Sequence, residues 1–299
     1  MPFVAGVDSS TQSTKVEIRD LDTGEVIGSG SAAHPAVTPP VSEQDPRSWW
    51  DAFEVAWSLA LDDVSGGAAD VSAISVAGQQ HGMVALDADD QAVHPAKLWN
   101  DTESAPDAGW LLGQLASRHG DGARIDDGMA AWADAVGSVP VAAFTATKLS
   151  WLHRSHPDAW SRMARVLLPH DYLTHRLTGS YTTDRGDASG TGYWSPATGS
   201  YRWDLLAVID SERDWTDVVP TVLGPLDPAG EWNGRTVACG TGDNMAAALG
   251  LGLGPGDAAL SIGTSGTAFS VASAPTADPS GAVAGFADAT GLFLPLVCT

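Results

Sequence analysis

Basic residues are scarce: 15 Lys and Arg stand against 37 Asp and Glu, a net charge of −22 over 299 residues. Nucleic-acid binding draws on clustered cationic side chains that displace counterions from phosphate, so no nucleic-acid partner is expected. The same acidity leaves a phosphorylated small molecule open, because backbone amides and Mg²⁺ neutralise phosphate without help from net charge. Cysteine is nearly absent. Cys239 and Cys298 are the two present, which excludes a disulfide framework and a cysteine metal site. No apolar run is long enough to cross a bilayer. The opening MPFVAGVDSS lacks the basic stretch and apolar core of a signal peptide. A cytoplasmic protein with no membrane partner is expected. Also missing are G-x-x-x-x-G-K-[ST], G-x-G-x-x-G, a G-x-S-x-G elbow and a His pair at metal spacing. P-loop, Rossmann, serine-hydrolase and zinc chemistries therefore have no support.

What is present reads as alternating strands and helices of an α/β protein. Phe3–Val7 is a short apolar run, DSSTQST is rich in turn formers, and Lys15–Leu21 alternates apolar and polar with period two. A third strand after the turn at Asp22–Gly24 completes a meander. Asp45-Pro46 is a helix start, with Asp at the cap and Pro at the first helical position. Behind it Trp49, Trp50, Phe53, Ala56, Trp57, Ala60, Leu61 and Val64 recur at helical spacing up to Gly66-Gly67. That spacing makes the tryptophans packing residues. VSAISVA (71–77) and MVALD (83–87) read as strands, and the loop GQQHG between them places polar groups at two strand ends. FTATKLSWLHRSH and LLPHDYLTHRLTG read as helices, the second closed by Gly179.

A second unit is expected from Thr236 onward, dividing the chain into domains 1–235 and 236–299. TVACG reads as a strand, MAAALGLGLG as a helix, ALSIG as a strand, and TAFSVAS as another after a Gly-Thr-Ser-Gly turn. Apolar strand, small-residue turn and alternating strand thus occur at both 3–21 and 258–273, a weak internal repeat. GLFLPLVCT stops inside an apolar strand-like run, and the expectation is that the second domain is cut short.

Two turns and one helix start could carry chemistry. Asp8 ends a buried strand, and Ser9, Ser10, Thr11, Ser13 and Thr14 crowd the turn beyond it. Small hydroxyl residues let amides approach phosphate and a strand-end carboxylate can hold Mg²⁺, but such a turn can equally satisfy only its own backbone. Gly263, Thr264, Ser265 and Gly266 form the matching turn in the second half. Asp243 follows Gly242 at the head of an apolar helix, a place that suits both an N-cap and a proton acceptor. The helix N-terminus is expected to keep that carboxylate ionised. Lys148 reads as a surface lysine with its stem along an apolar helix. Trp99 reads as a core residue, and Asp184, Arg185 and Asp187 as a polar turn without an assigned role.

VAGVDSSTQSTK, VSEQDPRSWW, ISVAGQQHGMVALD, KLWND, FTATKLSWL, LLPHDYLTHRLTG, TDRGDASGTGYW, GTGDNMAAALG and LSIGTSGT, in that order along the chain, resemble the FGGY carbohydrate kinases. The family pattern more often reads G-Q-M-H-G where this chain has Gln80, and the loop favours the ketopentose branch over the glycerol branch. The resemblance implies an actin-like (ribonuclease H-like) fold of two α/β domains, the first binding sugar and the second nucleotide. It implies transfer of phosphate from ATP, with Mg²⁺, to the terminal hydroxyl of D-xylulose. Asp243 would be the catalytic base, and Asp8 the second catalytic carboxylate and the metal ligand. Gln80, His81, Trp99, Asn100, Asp101 and Asn244 would contact sugar. Ser9, Ser10, Thr11, Gln12, Ser13, Thr14 and Lys15, with Gly263, Thr264, Ser265 and Gly266, would face the nucleotide phosphates. Sugar and ATP are the expected partners, and a homodimer is compatible with the sequence. A sugar-binding piece without turnover is the alternative from a different class, and a family kinase for another ketose or polyol is a third.

Overall fold

The alternation of Val16 and Ile18, fully buried, with Lys15, Glu17 and Arg19, exposed, sets the first sheet. Each such side chain taken from water contributes about 1.5–3 kcal/mol. The computed structural model describes residues 3–298 apart from 63, 65, 119, 121 and 263–265. The meander forms as expected: β1 (Phe3–Ser9), β2 (Ser13–Asp20) and β3 (Val26–Ala33) run antiparallel in sequence. β4 (Val71–Gly78) lies parallel to β1 on its other side. Helix α1 (Arg47–Leu61) covers the meander, with Trp49, Phe53, Ala56 and Ala60 turned inward. Gly28 and Gly30 make that contact possible, because a Cβ on either would stand 2.0–2.1 Å from a helix carbonyl. The helix starts one residue later than expected: Pro46 holds the cap position without a side-chain bond, and the Asp45 carboxylate before it accepts the Arg47 N–H at 3.0 Å.

A second helical layer builds its own core. α2 (Ala105–Ser117), α3 (Ile125–Val136), α4 (Thr145–Ser155) and α5 (Pro157–Arg162) pack around Leu111, Trp132, Leu149 and Leu152. α6 (Pro169–Thr178) ends at Gly179 in the left-handed conformation, φ 75°, and its Tyr172 and Leu173 join the sheet's core. The short α7 (Arg185–Ser189) and α8 (Trp203–Ile209) follow.

The strand expected to open a second unit joins the first sheet instead. β5 (Pro228–Trp232) pairs with β6 (Arg235–Ala238), and β6 runs parallel to β4 with Val237 opposite Ile74. β7 (Thr241–Gly242) continues along the same edge. Among the described residues this completes a seven-stranded mixed sheet. After α9 (Asp243–Gly250), β8 (Ala258–Ile262), β9 (Gly266–Ser270), β10 (Ala284–Ala287) and β11 (Phe293–Cys298) form a separate antiparallel sheet in the order β8-β9-β11-β10. The final apolar run is thus a central strand flanked by β9 and β10, with Leu294 and Leu296 buried. The two hairpins suspected as a repeat, β1–β2 and β8–β9, are both antiparallel pairs. Among the described residues no helix is long and apolar enough to cross a membrane.

Candidate active site

Three parallel strand ends converge. On β4, Ala77 stands between Asp8 of β1 and Thr241 of β7, and Gly78 stands between Ser9 and Gly242. The chain leaves these ends as the Ser/Thr turn, the GQQHG loop and helix α9. The carboxyl ends of parallel strands are where open α/β sheets bind ligands. Gly242 is needed here by close approach: a Cβ would stand 2.7 Å from Gln80 Cγ.

Asp243 is the first residue of α9, and Gly242 holds the cap position with no side-chain bond. Asp243 Oδ1 accepts the Asn244 backbone N–H at 2.8 Å and the Asn244 Nδ2 at 3.0 Å. Its acidity departs from expectation. Burial, with Asp8 nearby, raises its pKa to about 6 against the pull of the Asn244 bonds. Desolvation thus outweighs the helix terminus, and the group is poised close to neutrality. Burial also raises Asp8, offset in part by Lys15, its cross-strand partner. Two carboxylates, Asp8 raising the pKa of Asp243, beside a strand-end turn are a donor set suited to a hard cation such as Mg²⁺.

The GQQHG loop is held from both sides. Buried Gln79 donates its N–H to Ser9 O at 3.0 Å and accepts from Thr11 Oγ1 at 3.1 Å. Gln80 Oε1 accepts from Asn244 Nδ2 at 2.8 Å, and its Nε2 is buried without a partner among the described residues. His81 adopts φ 66°, a conformation that non-glycine residues hold only when their surroundings impose it. Those surroundings are visible. Its Nδ1 donates to Gly190 O at 2.8 Å, its carbonyl accepts from Thr145 Oγ1 at 3.1 Å, and its ring packs against Phe144 and Phe286, which also touch each other. Burial, then the Lys148 charge, pushes its pKa down to about 3. The imidazole is therefore neutral, and Nε2 is an acceptor.

In the first turn most hydroxyls serve the local backbone, as the bland reading has it. Ser10 Oγ donates to Ser13 O at 3.1 Å and accepts from Gln12 and Ser13 N–H groups at 3.3 Å. Thr14 Oγ1 bonds Ser9 Oγ and His34 Nε2. Thr11 differs: besides Gln79 it takes the Trp99 Nε1–H at 3.0 Å. Trp99 is 41% exposed and is not core. Gln12 and Lys15 are exposed. The expected phosphate contacts Gly263, Thr264 and Ser265 lie outside the described residues, and Gly266 opens β9.

Asn100 is half-buried, with Oδ1 enclosed and unpartnered among the described residues. Asp101 is committed elsewhere: fully buried, it accepts from Ser42 N and Lys97 Nζ at 2.8 and 3.0 Å. Glu43 and Glu103 reach the same ammonium at 2.8 Å, so Lys97 occupies the centre of this acidic cluster. Lys148 is not on the surface. It is fully buried, donates to Ala142 and Ala143 carbonyls at 2.7 and 2.5 Å, and burial pulls its pKa down to about 7. Phe144, Phe286 and Gly190 escape notice in the sequence because nothing local marks contact with a loop far away in the chain.

The family described as "FGGY family of carbohydrate kinases, N-terminal domain" matches residues 3–250. A xylulose kinase of Streptomyces coelicolor is 48% identical over all of this chain and 60% of its own length. One of Escherichia coli is 34% identical over 95% of this chain and 57% of its own. The crystal structure of xylulose kinase from Bifidobacterium adolescentis superposes with a TM-score of 0.91 at 42% identity, covering all of this chain and 64% of that one. The actin-like α/β architecture expected from the resemblance is the one shared with these structures. The chain spans about 60% of the length of the curated relatives it matches.

Proposed function

The chain belongs to the FGGY family of carbohydrate kinases, and from that premise we propose that it carries the sugar-binding body and proton acceptor of a kinase phosphorylating D-xylulose at its terminal hydroxyl. The observation that carries the reading is the row Asp8–Ala77–Thr241, which delivers Asp8, the His81 loop and Asp243 to one edge of one sheet.

Asp243 Oδ1 is held by two Asn244 donors, and Oδ2 has no donor among the described residues. With a pKa of about 6, Asp243 is mostly ionised at pH 7 yet basic enough to take a hydroxyl proton as the new O–P bond forms. His81 Nε2 would accept from a second sugar hydroxyl, and Asn100 Oδ1 supplies a further acceptor at the edge of the site. Asp8 would hold Mg²⁺, which when bound lessens charge on the transferred phosphoryl group. The Ser9–Thr14 turn would approach the phosphates of ATP through its backbone amides. In this reading residues 1–235 and the strand ends that follow bind sugar, and the sheet of 258–298 begins the nucleotide side.

A second reading, sugar binding without turnover by these 299 residues alone, is favoured by one feature. Leu260 and Ile262 of β8 are 67% and 80% exposed, an apolar surface open beside the expected nucleotide side. An ADP-release assay with D-xylulose, glycerol and gluconate, run on this chain and on the complete gene product, tests both readings. Release with D-xylulose supports the kinase. Release only with glycerol or gluconate overturns the substrate, and robust turnover by these residues alone overturns the second reading.

A further inference from the structure

Directly behind the strand ends lies a buried charge cluster that the proposed reaction does not use. His170, the second residue of α6, is fully buried, and its Nε2 stands 3.2 Å from Asp171 Oδ1, 3.2 Å from Asp184 Oδ1 and 3.4 Å from Asp187 Oδ2. Asp171 is tied to its own helix start, accepting the Leu168 N–H at 2.8 Å. Asp184 is tied to two elements at once. Its Oδ2 and Oδ1 accept the Gly186 and Asp187 N–H groups at 2.7 and 3.0 Å, capping α7, and Oδ2 also accepts from Thr241 Oγ1 at 2.7 Å. Thr241 stands two residues before Asp243, on the strand that ends at the site.

We propose that His170, Asp184 and Thr241 form a positioning chain for Asp243, in which the imidazolium anchors Asp184 and Asp184 fixes the strand end that carries the base. This rests on the reading of Asp243 given above. Two observations support it. Thr241 and Met245 crowd Gly186 of α7 so closely that a Cβ there would stand 2.9 Å from each; the turn 241–245 is thus seated directly on the helix Asp184 caps. Although burial alone would lower it, the pKa of His170 is raised to about 9 by Asp171, Asp184 and Asp187, so a cation faces Asp184 throughout the physiological range. A buried cation that lost these carboxylates, or carboxylates that lost the cation, would be left uncompensated, so removing one member is costly to the rest. His170, Asp184 and Thr241 have no sugar contact in this proposal; each acts through the next.

The test uses the complete gene product and two readouts. Thr241→Val removes only the hydroxyl bond. It is expected to lower kcat with D-xylulose by about tenfold or more while KM moves by less than about threefold. Backbone amide exchange at residues 241–245 should speed up by about tenfold in the same variant. Thr241→Ser keeps the donor and should restore both, and Asp184→Asn and His170→Gln should follow Thr241→Val. Unchanged kcat and unchanged exchange in Thr241→Val would overturn the chain, as would a Thr241→Ser variant no better than Thr241→Val. If the wild type turned over no ketose, the function reading would fall, and the exchange data would still decide whether His170 and Asp184 hold the turn. Should His170→Gln fail to fold, Thr241→Val and Asp184→Asn decide.

Discussion

Gln80 and Asn244, 164 positions apart, share a 2.8 Å hydrogen bond. The same Asn244 amide holds Asp243 Oδ1 at 3.0 Å, so one side chain couples the loop expected to grip sugar to the residue expected to take its proton. Asn244→Ala would leave Gln80 Oε1 and Asp243 Oδ1 each short of a donor. The Asn244 side-chain bond is one of the interactions that lower the pKa of Asp243, so its loss raises that pKa, although the backbone N–H of residue 244 still donates to Oδ1. The acid limb of the kcat–pH profile should move to higher pH, and kcat at pH 7 should fall by about tenfold. A profile with an unmoved acid limb would contradict the coupling.

His81 makes a different prediction, because its lowered pKa is linked to stability. In the unfolded chain a histidine takes a proton near its ordinary pKa of about 6.5, and in the fold His81 does so only near 3. The unfolded state therefore binds more protons between those values, and stability from this group falls as pH drops through that window. His81→Asn suits the left-handed backbone and removes the linkage. The variant should lose less thermal stability than wild type between pH 6.5 and pH 4, and its KM for D-xylulose should rise by about tenfold. Equal acid sensitivity in both proteins would show that His81 is not buried neutral.

Much of this site was legible in the sequence, and the parts that were not share one cause. The alternation in β2 and the helical spacing of Trp49, Phe53 and Ala56 are local signals, and the structure buries those residues as expected. Asp8 and Asp243 sit at strand ends that the sequence marks, Gln80 and His81 enter through the resemblance, and the structure brings Asp8, the loop that holds Gln80 and His81, and Asp243 to neighbouring strand ends. Lys148 is buried rather than at the surface, on the Ala142 and Ala143 carbonyls, and Asp184 and Asp187 are buried at the head of α7 beside His170, because a charged residue's burial depends on partners that its own sequence position does not name. Likewise nothing in TVACG says that Val237 will pair with Ile74, since parallel pairing joins strands far apart in sequence.

Lys97 tests the reassignment of Asp101 from sugar contact to structural support. Its ammonium lies 2.8–3.0 Å from Glu43, Asp101 and Glu103 and 3.9 Å from the Trp151 ring centroid. Lys97→Ala would leave Asp101 buried and unpaired, costing about 3–5 kcal/mol. The three carboxylates it abandons lie within 4.8 Å of one another, so added Ca²⁺ should raise the melting temperature of the variant and leave wild type unchanged. A variant as stable as wild type would overturn the assignment.

The central claim is that Asp243 takes the proton, and Asp243→Asn tests it most directly. Burial penalises the ionised carboxylate, so the neutral amide should fold with an unchanged or higher melting temperature. With D-xylulose and ATP, the variant of the complete gene product should lose about a thousandfold in kcat, while D-xylulose binding by calorimetry stays within about threefold of wild type. Turnover within about tenfold of wild type would contradict the account.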